Sequence, residues 1–136
     1  MSDPDCIFCK VLEHEIPAEF LWEEDETAAF MDINPWTRGH ALVIPRNHST
    51  DLLEISQADL DATIAAAQRL ARMQKERLSC DGVNLLNSCG AAAWQTIFHF
   101  HIHSIPRYAN DPLQLPTRPQ QATPEELASV AAELRG

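Results

Sequence analysis

The sequence predicts an α+β domain, an antiparallel sheet of about five strands with one long packed helix and a C-terminal helix. Three observations lead there. Short runs rich in branched and aromatic residues are separated by turn residues, one long stretch carries helical periodicity, and strands and helices follow in an order suited to antiparallel pairing. At 136 residues the chain buries roughly two-thirds of its unfolded surface, enough for one core without disulfides. Residues 1–108 read as the working part of the domain and 109–136 as a C-terminal arm and short helix belonging to it.

The first element is a short helical turn expected from Cys9 to His14. Glu19 to Trp22 then pairs with Thr27 to Met31 across the polar turn Glu23-Glu24-Asp25-Glu26, the pattern of a hairpin. A third strand is expected from Gly39 to Pro45. The long helix runs from about Ser56 to Leu78, where Ser56 and Asp59 have capping-box-like spacing and apolar residues recur at Leu60, Ile64, Ala67, Leu70, Ala71 and Leu78. Gly82 fits just beyond its end. Val83 to Asn87 and Ile97 to Ile105 supply the last two strands, separated by a loop of small residues, Ser88 to Ala93. Asn110 to Gln121, with Pro112, Pro116 and Pro119, reads as an extended arm. In the final helix Thr123 caps, Pro124 takes the first position and Glu126 completes a capping box.

Inside the last strand lies the densest chemistry, Ile97-Phe98-His99-Phe100-His101-Ile102-His103-Ser104. Side chains alternate across a strand, so His99, His101 and His103 share one face while Phe98, Phe100 and Ile102 point the other way. Each imidazole needs a hydrogen-bond partner or a metal when desolvated. At about 3.3 Å per residue the outer two stand roughly 13 Å apart, too far for one ion to hold all three. An open catalytic zinc shared by two neighbours and a third ligand elsewhere remains a reading of the residues alone.

Cys6-Ile7-Phe8-Cys9 offers a second cluster. Two cysteines separated by two residues can chelate a metal, and His48 with His99 would complete a Cys₂His₂ shell with no open position. That zinc would be structural and would leave His101 and His103 for chemistry. A lone pair of cysteines also suits redox chemistry or plain burial.

The histidine row followed by Ser-Ile-Pro-Arg, with Cys6-Ile-Phe-Cys-Lys10, Glu15-Ile-Pro-Ala-Glu19, Phe30-Met-Asp-Ile-Asn-Pro35 and Gly39-His-Ala-Leu-Val-Ile-Pro45, resembles the histidine triad (HIT) superfamily near its bacterial Hint and Fhit branches. The resemblance spans residues 5 to 108. It implies a nucleotide hydrolase or nucleotidyltransferase that cleaves an α-phosphate bond of a nucleoside phosphoramidate or dinucleoside polyphosphate, with His101 forming a nucleotidyl intermediate and His103 orienting it. It places Gln95 and Thr96 beside the phosphate, Phe8, Phe30 and Ile33 around the base, Asp32 on the ribose, and Asn34 and Ser88 at the pocket. It further implies a purine nucleotide or nucleotide conjugate as ligand and a homodimer. Two positions depart from the family pattern: Trp94 stands where glycine is common, and Ser88 where many relatives carry asparagine. A second reading, from a different functional class, is a nucleotide-binding regulatory module with little turnover.

A net charge of −10 argues against a nucleic-acid polymer as partner, because phosphate tracking needs clustered Lys and Arg. Arg107 is expected near the row as a local cation. Met1-Ser-Asp-Pro-Asp-Cys6 lacks the basic and apolar regions of a signal peptide, and no stretch suits a membrane span. The expectation is a cytoplasmic chain with reduced cysteines.

Overall fold

The computed structural model describes residues 2–115 and 117–136; Met1 and Pro116, the latter one of the arm's prolines, lie outside the described residues. A short helix α1 (Ile7–Leu12) precedes the hairpin β1 (Phe20–Glu23) and β2 (Thr27–Met31), then β3 (Ala41–Pro45), the long helix α2 (Gln57–Leu78), β4 (Gly82–Leu86), β5 (Ile102–Arg107) and a final helix α3 (Pro124–Arg135). The five strands form one sheet in the order β1-β2-β3-β5-β4, with every neighbouring pair antiparallel. The α+β architecture is the one the sequence predicts.

Both faces of the sheet are covered, which explains why β3 is an unbroken apolar run rather than an alternating one. Leu42 and Ile44 join Phe8, Val11, Leu12 and Phe30 in a core beneath α1. Ala41 and Val43 join Trp22, Ala67, Leu70, Phe100 and Ile102 in a core beneath α2. The sheet therefore carries its structural helix on one side and frees the other, around α1, for a site.

Several boundaries differ from the sequence reading. Helix α1 starts earlier because the Cys6 sulfur caps it, accepting the Cys9 amide at 3.3 Å, and it ends before His14, which is left-handed at φ 62°. Helix α2 is capped by Ser56 as expected, through the Asp59 amide at 3.1 Å. Its C-terminal left-handed residue is Ser79 at φ 55°, while Gly82 already belongs to β4. The buried stripe of α2 is Thr63, Ala67, Leu70 and Gln74, whereas Ile64 faces outward. Two polar residues occupy that stripe because both are internally satisfied: Thr63 donates to Asp59 O at 2.6 Å, and the Gln74 amide bridges Gly39 O and Ser104 O at 3.0 and 3.1 Å while accepting the Ser104 hydroxyl at 2.6 Å.

The last strand is shorter than expected. Its ladder begins at Ile102, and His99 to His101 form an extended lead-in. There the Phe100 amide donates to Ser49 O at 2.7 Å, and the Asn87 side chain, just past the end of β4, donates to His101 O at 2.9 Å. A side chain and a loop carbonyl thus replace ladder partners. Alternation persists from His99 to His103 but not at Phe98, which is half-exposed instead of packed. Helix α3 has its expected start, with Thr123 capping the Glu126 amide at 3.2 Å, and buries none of its residues.

Candidate functional site

The extended lead-in and the start of β5 place the three histidines in two different environments. His99 is fully buried and meets the α1 cysteines. Its Nε2–H donates to Pro45 O at 2.8 Å, which leaves the Nδ1 lone pair facing inward. That atom lies 3.4 Å from Cys6 Sγ, 3.6 Å from Cys9 Sγ and 3.3 Å from His48 Nδ1, and Cys9 Sγ lies 3.5 Å from His48 Nδ1.

These separations are the edges of a small tetrahedron. With Zn–N near 2.1 Å and Zn–S near 2.3 Å, a tetrahedral shell has edges of ~3.4 Å between nitrogens and ~3.6 Å between nitrogen and sulfur. The four donors lie within 4.8 Å of one another. Backbone groups orient them, as supporting hydrogen bonds do around metal ligands: Pro45 O on His99, and the Asp3 amide on Cys9 Sγ at 3.3 Å. Without a cation, burial holds His99 down at about 4 and pushes the Cys9 thiol up to about 11. A metal would reverse the thiol's preference. The donor set therefore fits zinc, and it accounts for all four residues with no ligand left over for an open position.

His101 and His103, farther along the same face, line a cavity of about 340 Å³. Their protons can be assigned from neighbours that have only one possible role. A backbone carbonyl can only accept, so the 2.7 Å contact between His101 Nδ1 and His99 O puts the proton on Nδ1 and leaves Nε2 with its lone pair. A backbone amide can only donate, so Trp36 N–H, 3.0 Å from His40 Nδ1, fixes that atom as an acceptor. Neutral His40 then carries its proton on Nε2 and donates it to His103 Nδ1, 2.9 Å away. His103 in turn bears its proton on Nε2. One ring of the adjacent pair is thereby a base and the other a donor.

Burial favours the neutral forms that this assignment requires. It lowers the pKa of His40, His101 and His103, the last to about 4. Asp32 opposes the shift, with Oδ2 3.5 Å from His40 Nε2 and 3.8 Å from His103 Nδ1. Phe8 packs edge-on to His101, with ring centres 5.2 Å apart at 86°, and so limits how that imidazole can turn.

Phe8, Phe30, Asp32, Ile33, Asn34 and Thr96 line the same cavity as His101 and His103. Asp32 Oδ1 accepts the Asn34 amide at 2.8 Å, a local turn that presents both residues to the opening. Ile33 is 85% exposed at the rim. Gln95 and Ser88 are buried and do not line the cavity. The Gln95 amide is fully engaged: its oxygen accepts the Gly90 amide at 2.7 Å and its nitrogen donates to Thr50 O and Ile97 O at 2.8 and 3.2 Å. Gln95 thus acts on the pocket by fixing the loop that carries Thr96. Arg107 is a correction, for it sits at the far end of β5 with its guanidinium bound to Asp111, Asn84 and Leu113 O. Among the described residues no Lys or Arg lines the cavity, which leaves imidazole, hydroxyl, the Asn34 side-chain amide and backbone N–H groups as its donors to an anion.

The sequence reading missed His40, Trp36 and Asn87 as site residues. His40 was legible as a histidine two residues before the buried Leu42, but its hydrogen bond to His103 depends on β3 and β5 pairing Leu42 with His103. Trp36 acts through its backbone amide on His40 and through its ring, stacked on His103, and Asn87 through its side-chain amide on His101 O; the first is a backbone contact and the other two are tertiary, so residue type and local sequence do not show them.

The HIT domain model matches residues 13–110. The SMU.412c protein of Streptococcus mutans has a crystal structure that superposes with a TM-score of 0.92 at 33% identity, covering 98% of this chain and 85% of that one. A zinc-bound histidine triad family protein from Mycobacterium smegmatis superposes at 0.78 with 36% identity over 96% of each chain. A histidine triad nucleotide-binding protein from Candida albicans superposes at 0.84 with 28% identity, covering 96% of this chain and 95% of that one.

Proposed function

This chain belongs to the HIT family, and from that membership we propose that it is a nucleotide hydrolase or transferase that cleaves an α-phosphate bond through a nucleotidyl-His101 intermediate. The observation that carries the proposal is the 2.7 Å bond from His101 Nδ1 to His99 O, which gives the ring an unprotonated Nε2 at a cavity of nucleotide size. In the first step the Nε2 lone pair forms a bond to the α-phosphorus, and the bond to the leaving nitrogen or oxygen breaks with its electron pair. The leaving group takes a proton from solvent. His103 Nε2–H, Thr96 and backbone amides stabilise charge on the phosphoryl oxygens. Water then attacks phosphorus and gives up a proton to solvent, the P–N bond breaks with its electron pair returning to His101 Nε2, and a nucleoside monophosphate leaves.

Phe8, Phe30 and Ile33 enclose the base in this reading, and Asp32 binds the ribose hydroxyls beside Asn34. Gln95 and Ser88 belong to the phosphate loop as positioning residues. The substrate is a purine nucleoside phosphoramidate or a dinucleoside polyphosphate. Residues 1–108 carry this machinery, with 109–136 as its arm.

Cys6, Cys9, His48 and His99 hold a structural zinc, consistent with the edge lengths above and with the zinc-bound relative. A homodimer is consistent with edge strand β4, where Leu85 is exposed beside Ile64 of α2. Four free thiols suit the reducing cytoplasm, and among the described residues no helix is long and apolar enough to cross a membrane.

The test is turnover of adenosine 5′-phosphoramidate by metal-quantified wild-type protein and by His101→Ala. Turnover lost in the variant supports the enzyme. Nucleotide binding with no turnover in either supports a regulatory module instead.

A further inference from the structure

Trp94 borders the same cavity as His101 and His103, is 61% exposed, and has a left-handed backbone at φ 77°. An aromatic residue is strained there, since its Cβ crowds the backbone in a conformation suited to glycine. Nothing in the core explains the tryptophan, because its ring packs into neither cluster of buried residues. The loop nonetheless holds it firmly. The Trp94 amide donates to Ala91 O at 3.0 Å, the Gln95 amide to Gly90 O at 3.1 Å, and the buried Gln95 side chain ties Gly90 to Thr50. The backbone of an exposed tryptophan is therefore held at one place on the rim, next to Thr96, while Phe8 and Phe30 of the same cavity are buried.

We propose that Trp94 is a specificity residue that stacks on a planar aromatic ring in the leaving group, so that the protein prefers substrates whose departing half carries such a ring. The inference rests on the reaction proposed above. In that reaction the retained nucleotide takes the Phe8–Phe30 wall, and in-line attack by the buried His101 sends the departing group outward to the rim, where Trp94 is exposed and, among the described residues, no Lys or Arg lines the cavity to hold extra phosphate charge. A π-face is the recognition element that remains, and it suits either an aromatic amine or a second nucleobase.

The experiment compares three compounds sharing one adenylyl half: the simple phosphoramidate, a phenethylamine phosphoramidate, and diadenosine triphosphate. Steady-state kinetics are measured for wild type, Trp94→Gly and Trp94→Phe. Glycine suits φ 77°, so the variant is not at risk of misfolding. The expected result is a wild-type preference of about tenfold or more in KM for at least one ring-bearing compound over the simple one, lost in Trp94→Gly and partly kept in Trp94→Phe. The ring-bearing compound that depends on Trp94 identifies the source of the ring.

Affinities for the same compounds are also measured in the His101→Ala background, where catalysis plays no part. If wild type turns over none of them, the reaction proposed above fails while a Trp94-dependent affinity difference still supports the platform. Equal effects of Trp94→Gly on ringed and ringless compounds, or a change of oligomeric state as its main consequence, overturn it.

Discussion

His40 Nε2 lies 2.9 Å from His103 Nδ1, and the Trp36 amide on His40 Nδ1 determines which ring gives the proton. The pair needs both rings neutral, because each uses one nitrogen as an acceptor: a proton on His103 Nδ1 would break the bond from His40, and one on His40 Nδ1 the bond from the Trp36 amide. Burial supplies the neutrality, and Asp32 limits it.

This arrangement makes the fold acid-sensitive in a definite window. His103 titrates near 4 in the folded chain and near 6.5 when unfolded. Between these values the unfolded chain binds more protons, so stability falls as pH drops from about 6.5 toward 4 and is intact above 6.5. The ceiling on this contribution is about 3 kcal/mol. His103→Gln should therefore lose less stability between pH 7 and 4.5 than wild type does. Urea midpoints at both pH values check it, and equal losses would contradict it.

Gln74 makes three hydrogen bonds that join α2 to β5 and to the Gly39 turn. Gln74→Leu keeps the volume and strands the carbonyls of Gly39 and Ser104 together with the Ser104 hydroxyl. Destabilisation on the order of 2–4 kcal/mol is expected, with little change in turnover per folded molecule. Chemical denaturation of the two proteins measures it.

Gln74 also shows where sequence reading stops. The long helix was visible from its period and its Ser56 cap, and Leu60, Ala67 and Leu70 do pack on the core, but hydropathy also pointed to the exposed Ile64, while the buried stripe takes in Thr63 and Gln74. Polar residues join a core when their partners come from other elements, and those partners are not local in sequence. The same limit applies to β5. Alternation placed His99, His101 and His103 on one face, yet the side-chain bond from Asn87 and the Phe100 bond to Ser49 that shorten the ladder are tertiary. The four possible zinc ligands were legible because few donor types suit the metal, and the pocket residues only because the motifs resembled a family. Charge proximity misled at Arg107, since distance along a strand says nothing about a competing Asp111.

Zinc removal should act on stability before chemistry. Purified protein is expected to carry close to one zinc per chain, and Cys6→Ser with Cys9→Ser should lower metal content and Tm. The two apolar cores persist without it, so the variant should remain partly folded, unlike a zinc-finger peptide. Elemental analysis with thermal melts decides the matter, and full occupancy in the double variant would rule out this ligand set.

Asp32 has one oxygen on the Asn34 amide and the other near the His40–His103 pair, at the edge of the cavity. If it also binds ribose hydroxyls, Asp32→Ala should weaken ribonucleotides by about 1–3 kcal/mol. The corresponding 2′,3′-dideoxynucleotides should be affected much less. Calorimetry on both ligands separates the cases, because equal losses would mean that Asp32 acts only through the histidines.

The covalent chemistry proposed above depends on His101, and the intermediate it implies is open to trapping. Rapid acid quenching destroys phosphoramidates at histidine, because protonation of the ring nitrogen makes it a good leaving group. Denaturation in base after mixing with a labelled substrate should instead preserve an adduct. Peptide mapping should place it on His101, whose Nδ1 is tied to His99 O and whose Nε2 is free. His101→Ala should abolish adduct and turnover while leaving zinc content unchanged, since its ring is not among the four metal donors. His103→Ala should still form the adduct, but about 10²–10⁴-fold more slowly, as expected for a group that donates to phosphate rather than attacking it. A label on His103, or normal turnover in His101→Ala, would reverse the roles that the two tautomers assign.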